Sequence, residues 1–413
     1  MYGSPGGNYG HHITDATRYD AWWVVIASAS GGVVSPWRYQ GRLDVSPDGA
    51  NPTYDFGARH YRPISGYRAG RRPTTARVEP ARHNGTVVAS GGGSSRPWAS
   101  REDTRALQRL VSARLACDWP AVRFHPGDLD WWALQADDPL SPLPERVRLW
   151  LGPDGNPVAY AWFSPPADLD FLIGPSDLGD DPRRAEGHIH EMLAWAEERR
   201  VTIGRDVEPL RAWIAAEDRT SMGAIVAAGF HPEARPGYVQ FTGDLVLADG
   251  WPAPALPASL GVLELRTDDD IAARVACGRA AFPRSTMTVE RYRRIHDAWL
   301  YRTELDLQIV TGDGVVVAFA LGWLDAATGS VELEPVGVHP DWHRHGLGGE
   351  ICRAVLRAAR RLGATRAMVS SERANDAALS LYSSLGLEIT TEIVAFTTTS
   401  TATNPMAYGP ATS

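Results

Sequence analysis

The chain repeats its own order of elements once, and that repeat limits what it can fold into. Two turns, Pro153-Asp154-Gly155 and Gly312-Asp313-Gly314, each lie between two strand-like runs, and their last glycines are 159 residues apart. Further on, "AAGF" at 227–230 and "SLGL" at 384–387 lie 157 residues apart. Two landmarks at nearly one offset indicate a duplicated unit, too long for a solenoid repeat. The first copy reads as helix, hairpin, third strand and amphipathic helix, and the second repeats this order and goes on to a strand, a short helix and a closing β segment. The Pro/Ala-rich stretch 248–260 separates the copies, placing them at 101–247 and 261–398, with a tail at 399–413.

Residues 1–100 have another character. They are rich in Gly, Ser, Pro, Tyr and Arg, with one short strand expected at 21–27 and an unstructured linker over about 68–100. Thr104 is read as the cap of the helix that follows.

Composition excludes several classes. A net charge of −8 argues against a nucleic-acid-binding protein. The 41 basic residues are all arginine, a composition we attribute to codon bias. Cys117, Cys277 and Cys352 are scattered, which fits neither a disulfide framework nor a cysteine-rich metal site and suggests a reducing, cytoplasmic setting. The first residues lack a signal-peptide pattern, and no run of about 18 apolar residues suggests a membrane span.

The stretch with most chemical content is "HPDWHRHGLGGE", 339–350. It follows the strand-like "SVELEPVGV" and precedes a helix with Leu347, Ile351, Val355, Ala359 and Leu362 on one face. Strand, glycine loop, helix N-terminus is an arrangement that binds phosphate, because the first helical N–H groups lack internal partners and the dipole favours an anion. It has neither the P-loop lysine nor the dinucleotide glycine spacing. The three histidines suggest metal, but Pro340 and the glycines keep His339 and His343 off a helix, so no metal site is expected.

His343-Arg344-His345-Gly346-Leu347-Gly348, followed by Asn375, Ala378, Tyr382 and Leu385-Gly386-Leu387, resembles the GNAT superfamily of acyl-CoA-dependent N-acyltransferases over about residues 261–398. His343 stands where that family usually has Arg or Gln. The resemblance implies an α+β fold of two GNAT-like domains, each a mixed central sheet flanked by helices, preceded by a largely irregular N-terminal extension. It implies acetyl-CoA as cosubstrate, with its pyrophosphate on residues 344–349 (Arg344, His345, Gly346, Leu347, Gly348, Gly349) beside His343. The pantetheine arm would lie along Val336, Gly337 and Val338, with Asn375 hydrogen-bonding near it. The Val338 N–H would hold the oxyanion, and Tyr382 would protonate the leaving thiolate. Glu332 or Glu334 would take the amine proton.

At the 157 offset, Tyr382 corresponds to Ile225 and Asn375 to Asp218, and the first copy has no Gly-x-Gly. It reads as a degenerate domain that is structural or shapes the acceptor site. Trp299, Tyr301, Trp323 and Asp325 are candidates for the acceptor pocket or for core. Tyr39, Gly41, Tyr54, Ala58, Arg59, Tyr61, Pro63 and Gly66, within 35–66, resemble the core segment of RHS/YD-repeat proteins, here a lone fragment.

The function expected is acetyl transfer to a small-molecule primary amine, without nucleic-acid or membrane partners, in a monomer with an internal pseudo-dimer or a homodimer. The alternatives are a non-catalytic acyl-CoA sensor and an acyltransferase effector fused to an RHS fragment.

Overall fold

The computed structural model describes residues 21–26, 35–40, 61–63, 94–135, 142–175, 182–203, 208–233, 237–245 and 254–398. The chain divides into two compact units, Met1–His83 and Asn84–Ser413. In the first, β1 (Ala21–Ile26), β2 (Ser35–Gln40) and β3 (Tyr61–Pro63) form an antiparallel sheet in that order. β1 fits the strand expected there, and β2 and β3 fall in the RHS-like stretch, most of which lies outside the described residues.

The second unit runs β4 (Ser94–Pro97), α1 (Arg101–Asp118), α2 (Pro126–Gln135), α3 (Leu143–Arg146), β5 (Val147–Leu151), β6 (Pro157–Ser164), β7 (Asp168–Ile173), α4 (Pro182–Thr202), β8 (Arg211–Ala215), α5 (Arg219–Ala227), β9 (His231–Pro232) and β10 (Tyr238–Asp244). The second half follows with β11 (Leu260–Glu264), α6 (Asp268–Ala281), α7 (Val289–Arg293), β12 (Asp306–Thr311), β13 (Val316–Asp325), β14 (Ser330–Val338), α8 (Leu347–Arg361), β15 (Arg366–Glu372), α9 (Asp376–Ser384) and β16 (Glu388–Thr397). No helix among the described residues is long and apolar enough to cross a membrane.

The duplication is visible in detail. Gly155 and Gly314 both hold positive φ, 79° and 84°, in matching hairpin turns. Each half has one parallel contact, β7 with β8 and β14 with β15, which makes the sheet mixed in both halves. Asp218 and Asn375 each cap the short helix that follows, accepting the N–H of Ser221 and of Ala378. Ile225, opposite Tyr382 in the repeat, is fully buried.

The halves do not close separately. One sheet runs β11-β12-β13-β14-β15-β10-β16-β8-β7-β6-β5-β4. The last strand of the first half, β10, pairs with β15 of the second, and the last strand of the second, β16, pairs with β8 of the first. β10 and β16 also pair with each other. Each half thus completes the other's sheet, and the boundary at 248–260 divides the chain without dividing the sheet.

Two local expectations need correction. The end of the presumed linker, Ser94–Pro97, is an edge strand on β5; residues 68–93 lie outside the described ones. Helix α1 starts at Arg101, earlier than Thr104 predicts. Asp103 accepts the Ala99 N–H and pairs with Arg96, which pulls the helix start forward. The Thr104 hydroxyl takes the Trp98 indole N–H instead.

Where the halves meet, fully buried Phe241 on β10 meets Tyr382 edge-on, with ring centroids 5.5 Å apart. Phe241→Ala should remove about 3–5 kcal/mol of stability. Because the sheet is shared, urea unfolding followed by tryptophan fluorescence and by far-UV circular dichroism should show one coincident, shifted transition. Separate transitions for the two probes would contradict this.

Candidate active site

The site begins where β14 leaves its neighbour. β14 pairs in parallel with β15 only through Ser330, Val331 and Glu332. Beyond that it keeps its antiparallel partner β13, with Val336, Gly337 and Val338 opposite Ala320, Phe319 and Ala318. The His339 N–H donates to Val317 O at 2.8 Å, which fixes the phase of this ladder. Val336 and Val338 are therefore in non-hydrogen-bonded pairs with β13, and their N–H groups point toward the gap that β15 has left. Gly337 is required by close approach: a Cβ there would lie 2.2 Å from the Phe319 ring.

The loop after β14 turns with alternating hand. Arg344 (φ 67°) and Gly346 (φ 75°) are left-handed on either side of His345. From Arg344 to Gly348, five successive backbone N–H groups have no acceptor among the described residues. Such a run makes a concave anion site, here continuous with the N-terminus of α8. Gly349, expected to join this cradle, donates its N–H to Gly346 O at 3.0 Å, because it already closes the first helical turn.

The histidines bind the loop to itself. His343 Nε2 donates to Val338 O at 3.1 Å, and His345 Nδ1 donates to His343 O at 2.9 Å. His339 Nδ1 accepts the Asp341 N–H. His343 thus occupies the end of the open edge, whereas Arg344 is exposed and lines the cavity.

A cavity of about 1420 Å³ runs beside β14 and is lined by residues of both halves. Val336 to Val338, His343, Arg344, Gly346 to Gly349, Asn375 and Tyr382 all reach it. Asn375 serves α9 as its cap through Oδ1, which leaves Nδ2 for the cavity. Burial pushes the Tyr382 phenol well above its ordinary range, so it keeps its proton. Trp299, Tyr301, Trp323 and Asp325 are not in the lining. Trp323 is core and donates its indole N–H to Glu334 O, and Tyr301 donates to Asp306.

Glu332 and Glu334 come together with a residue that sequence reasoning missed. Carboxylate oxygens of Asp128, Glu332 and Glu334 lie within 4.8 Å of one another. Asp128 is on α2 of the first half, about two hundred residues away in sequence. The helix sits so tightly on β13 that a Cβ on Gly127 would lie 2.4 Å from Trp323 Cβ.

His125 anchors the same turn. Its Nδ1 accepts the Gly127 N–H, so the proton is on Nε2, which faces Ser330 Oγ at 3.1 Å. Burial lowers its pKa to about 4, and it stays neutral. Asp128 accepts the His125 N–H at 2.8 Å. Burial raises Asp128 to about 6. Burial first, and then the Asp128 carboxylate, push Glu332 and Glu334 well above the usual carboxylate range. Glu332 Oε2 is buried and has no hydrogen bond. Three crowded carboxyls thus all favour protonation more than ordinary carboxyls do, and the cluster is suited to accept a cation or a proton.

Residues 273–387 match the acetyltransferase (GNAT) family. The match lies within the second half of the chain. Over 271 residues the chain is 28% identical to the mycothiol acetyltransferase of Clavibacter sepedonicus, covering 60% of this chain and 83% of that protein. The fold is similar to that of a GCN5-related N-acetyltransferase from Sphaerobacter thermophilus (TM-score 0.51, 21% identity, 74% of this chain and 95% of that one). It is also similar to a tandem GNAT protein of the clavulanic acid biosynthesis pathway (TM-score 0.54, 16% identity, 76% of this chain and all of that one). The two-copy α+β fold expected from the repeat is thus similar to that of a tandem GNAT protein.

The carboxyl cluster makes a stability prediction. A carboxyl whose folded pKa lies above its unfolded value favours the fold at low pH, and that contribution is lost as pH rises from about 4 through about 6. Asp128→Asn keeps an acceptor for the His125 N–H and removes the charge. It should make the protein more stable than wild type at pH 8, on the order of 1–3 kcal/mol, and flatten the loss between pH 4 and 7. Thermal unfolding across this range tests it, and an equal pH dependence in both proteins would refute it.

Proposed function

We propose that the protein is an N-acetyltransferase that moves the acetyl group of acetyl-CoA to a primary amine of a small molecule by direct attack on the thioester. The observation carrying this reading is the open edge of β14, whose Val336 and Val338 N–H groups face a cavity between an anion cradle and a carboxyl cluster. The residues present fit the cosubstrate. Five unpaired N–H groups suit a pyrophosphate. A strand edge without a partner suits the amides of a pantetheine arm, which pair with it as an added strand would.

Acetyl-CoA supplies the thioester, and the protein positions and moves protons around it. The Val338 N–H donates to the oxyanion as charge develops there. Glu332 or Glu334, with Asp128 beside them, takes the proton of the attacking amine. Burial raises these carboxyls above their ordinary range, and a raised carboxyl is the stronger base once it is ionised. Tyr382 gives its proton to the departing thiolate, a role suited to a buried phenol that does not ionise alone. The likeness to a mycothiol acetyltransferase supports acetyl transfer as the reaction class.

Thiol release with a library of amines, together with calorimetry of acetyl-CoA, tests this. Tyr382→Phe should lower kcat by about 10²–10⁴ while acetyl-CoA still binds. Glu332→Gln should suppress activity and change the acidic limb of the pH profile. Binding without thiol release on any amine, and no effect of either substitution, would leave a sensor. Failure to bind acetyl-CoA would remove both readings.

A further inference from the structure

Arg274, on α6, is 3% exposed and lines the cavity. Its guanidinium lies 3.2 Å from the centroid of the Phe319 ring and 5.2 Å from that of Tyr292. Stacking holds the group, yet Nε and Nη2 have no hydrogen-bond partner. The nearby acid, Asp306, does not take them. Its Oδ2 accepts from Tyr292 and Tyr301 at 2.8 and 3.2 Å, and its Oδ1 has no partner. A buried cation with unmade hydrogen bonds at a cavity wall is costly unless an anion completes it. The other buried cation of that wall in the first half, Arg123, is already paired with Asp170.

Its position relates it to the reaction centre. Phe319, on which Arg274 stacks, faces Gly337 across the ladder, between the two valines with free N–H groups. Trp323, four residues further along the same face of β13, faces Glu332 and supports the turn bearing Asp128. Four strand residues span roughly 13 Å. The cavity therefore has a cationic group beside the open edge and an anionic cluster further along. A molecule bearing both an ammonium and an anion lies along that axis in one orientation only.

We propose that Arg274 is the anion-binding residue of the acceptor site, and that the acceptor amine carries a carboxylate. This rests on the acetyltransferase reading for its chemistry and on the cavity geometry for the subsite. The carboxylate makes a charge-assisted contact with the stacked guanidinium, while the amine end is turned toward Glu332, Glu334 and Asp128.

The test uses four matched pairs with acetyl-CoA: glycine and methylamine, β-alanine and ethylamine, 4-aminobutyrate and propylamine, 6-aminohexanoate and pentylamine. In at least one pair the amino acid should exceed its amine at least 10-fold in kcat/KM, mostly through KM. Arg274→Met should bring the amino acid down to its amine's level, and Arg274→Lys should retain part of the preference. Calorimetry of the N-acetylated amino acids against the matching N-alkylacetamides, on CoA-saturated protein, reads the subsite without turnover. There the wild type should bind the carboxylate product at least 10-fold more tightly, and Arg274→Met should not. Unfolding midpoints establish that the variants are folded.

No carboxylate preference in wild type, or the same preference in Arg274→Met, overturns the proposal. So does weaker acetyl-CoA binding by Arg274→Met with acceptor discrimination intact, which would give Arg274 to a phosphate of the cosubstrate. Carboxylate discrimination in binding without thiol release from any amine would keep the subsite and remove the acetyltransferase reading.

Discussion

An interior strand that parts from its neighbour leaves backbone groups with nothing to bond, and everything at this site depends on β14 doing so past Glu332. Such a gap is unfavourable within a sheet unless something keeps it open or fills it. Here β15 stays with β10 along its full length while β14 stays with β13, so the two part after Glu332. The loop after β14 is pinned by its own histidines, so its five free N–H groups face the same opening. The parting of two strands thus creates the cavity, its hydrogen-bonding edge and its anion cradle together.

Much of this was legible in the sequence, for physical reasons. Helix α8 shows its apolar stripe at Leu347, Ile351, Val355 and Ala359, all buried, whereas Leu362, read with them, caps the helix and is exposed. The turns around Gly155 and Gly314 need positive φ, and glycine with a neighbouring Asp marks them. The glycine loop can be placed because a strand precedes it and a helix follows. The equivalence of Asn375 with Asp218 is also readable, and both prove to be helix caps.

Other features carry no local signal. A strand alternates in the same way whichever strand it pairs with, so β10 and β16 say nothing about having exchanged places. Asp128 sits in "HPGD", where nothing ties it to two glutamates two hundred residues away; only the tight packing of Gly127 against Trp323 brings it there. Arg274 reads as one more polar position on a helix, and only the stacked rings beneath it show that it is held without a partner. The start of α1 was misplaced because Asp103 bonds backward to Ala99, a competition that residue preferences alone do not resolve.

The exchanged strands have a consequence for how such a chain can change. A duplicated domain that loses its chemistry is ordinarily free to drift or be deleted. Here the first half has Ile225 where the second has Tyr382, yet it supplies the strand that flanks β15 and the acid beside Glu332 and receives the last strand of its twin. Removing it would uncover two sheet edges at once. The two halves have become one inheritance unit, and the first persists as part of the scaffold on which the site beside β14 is hung.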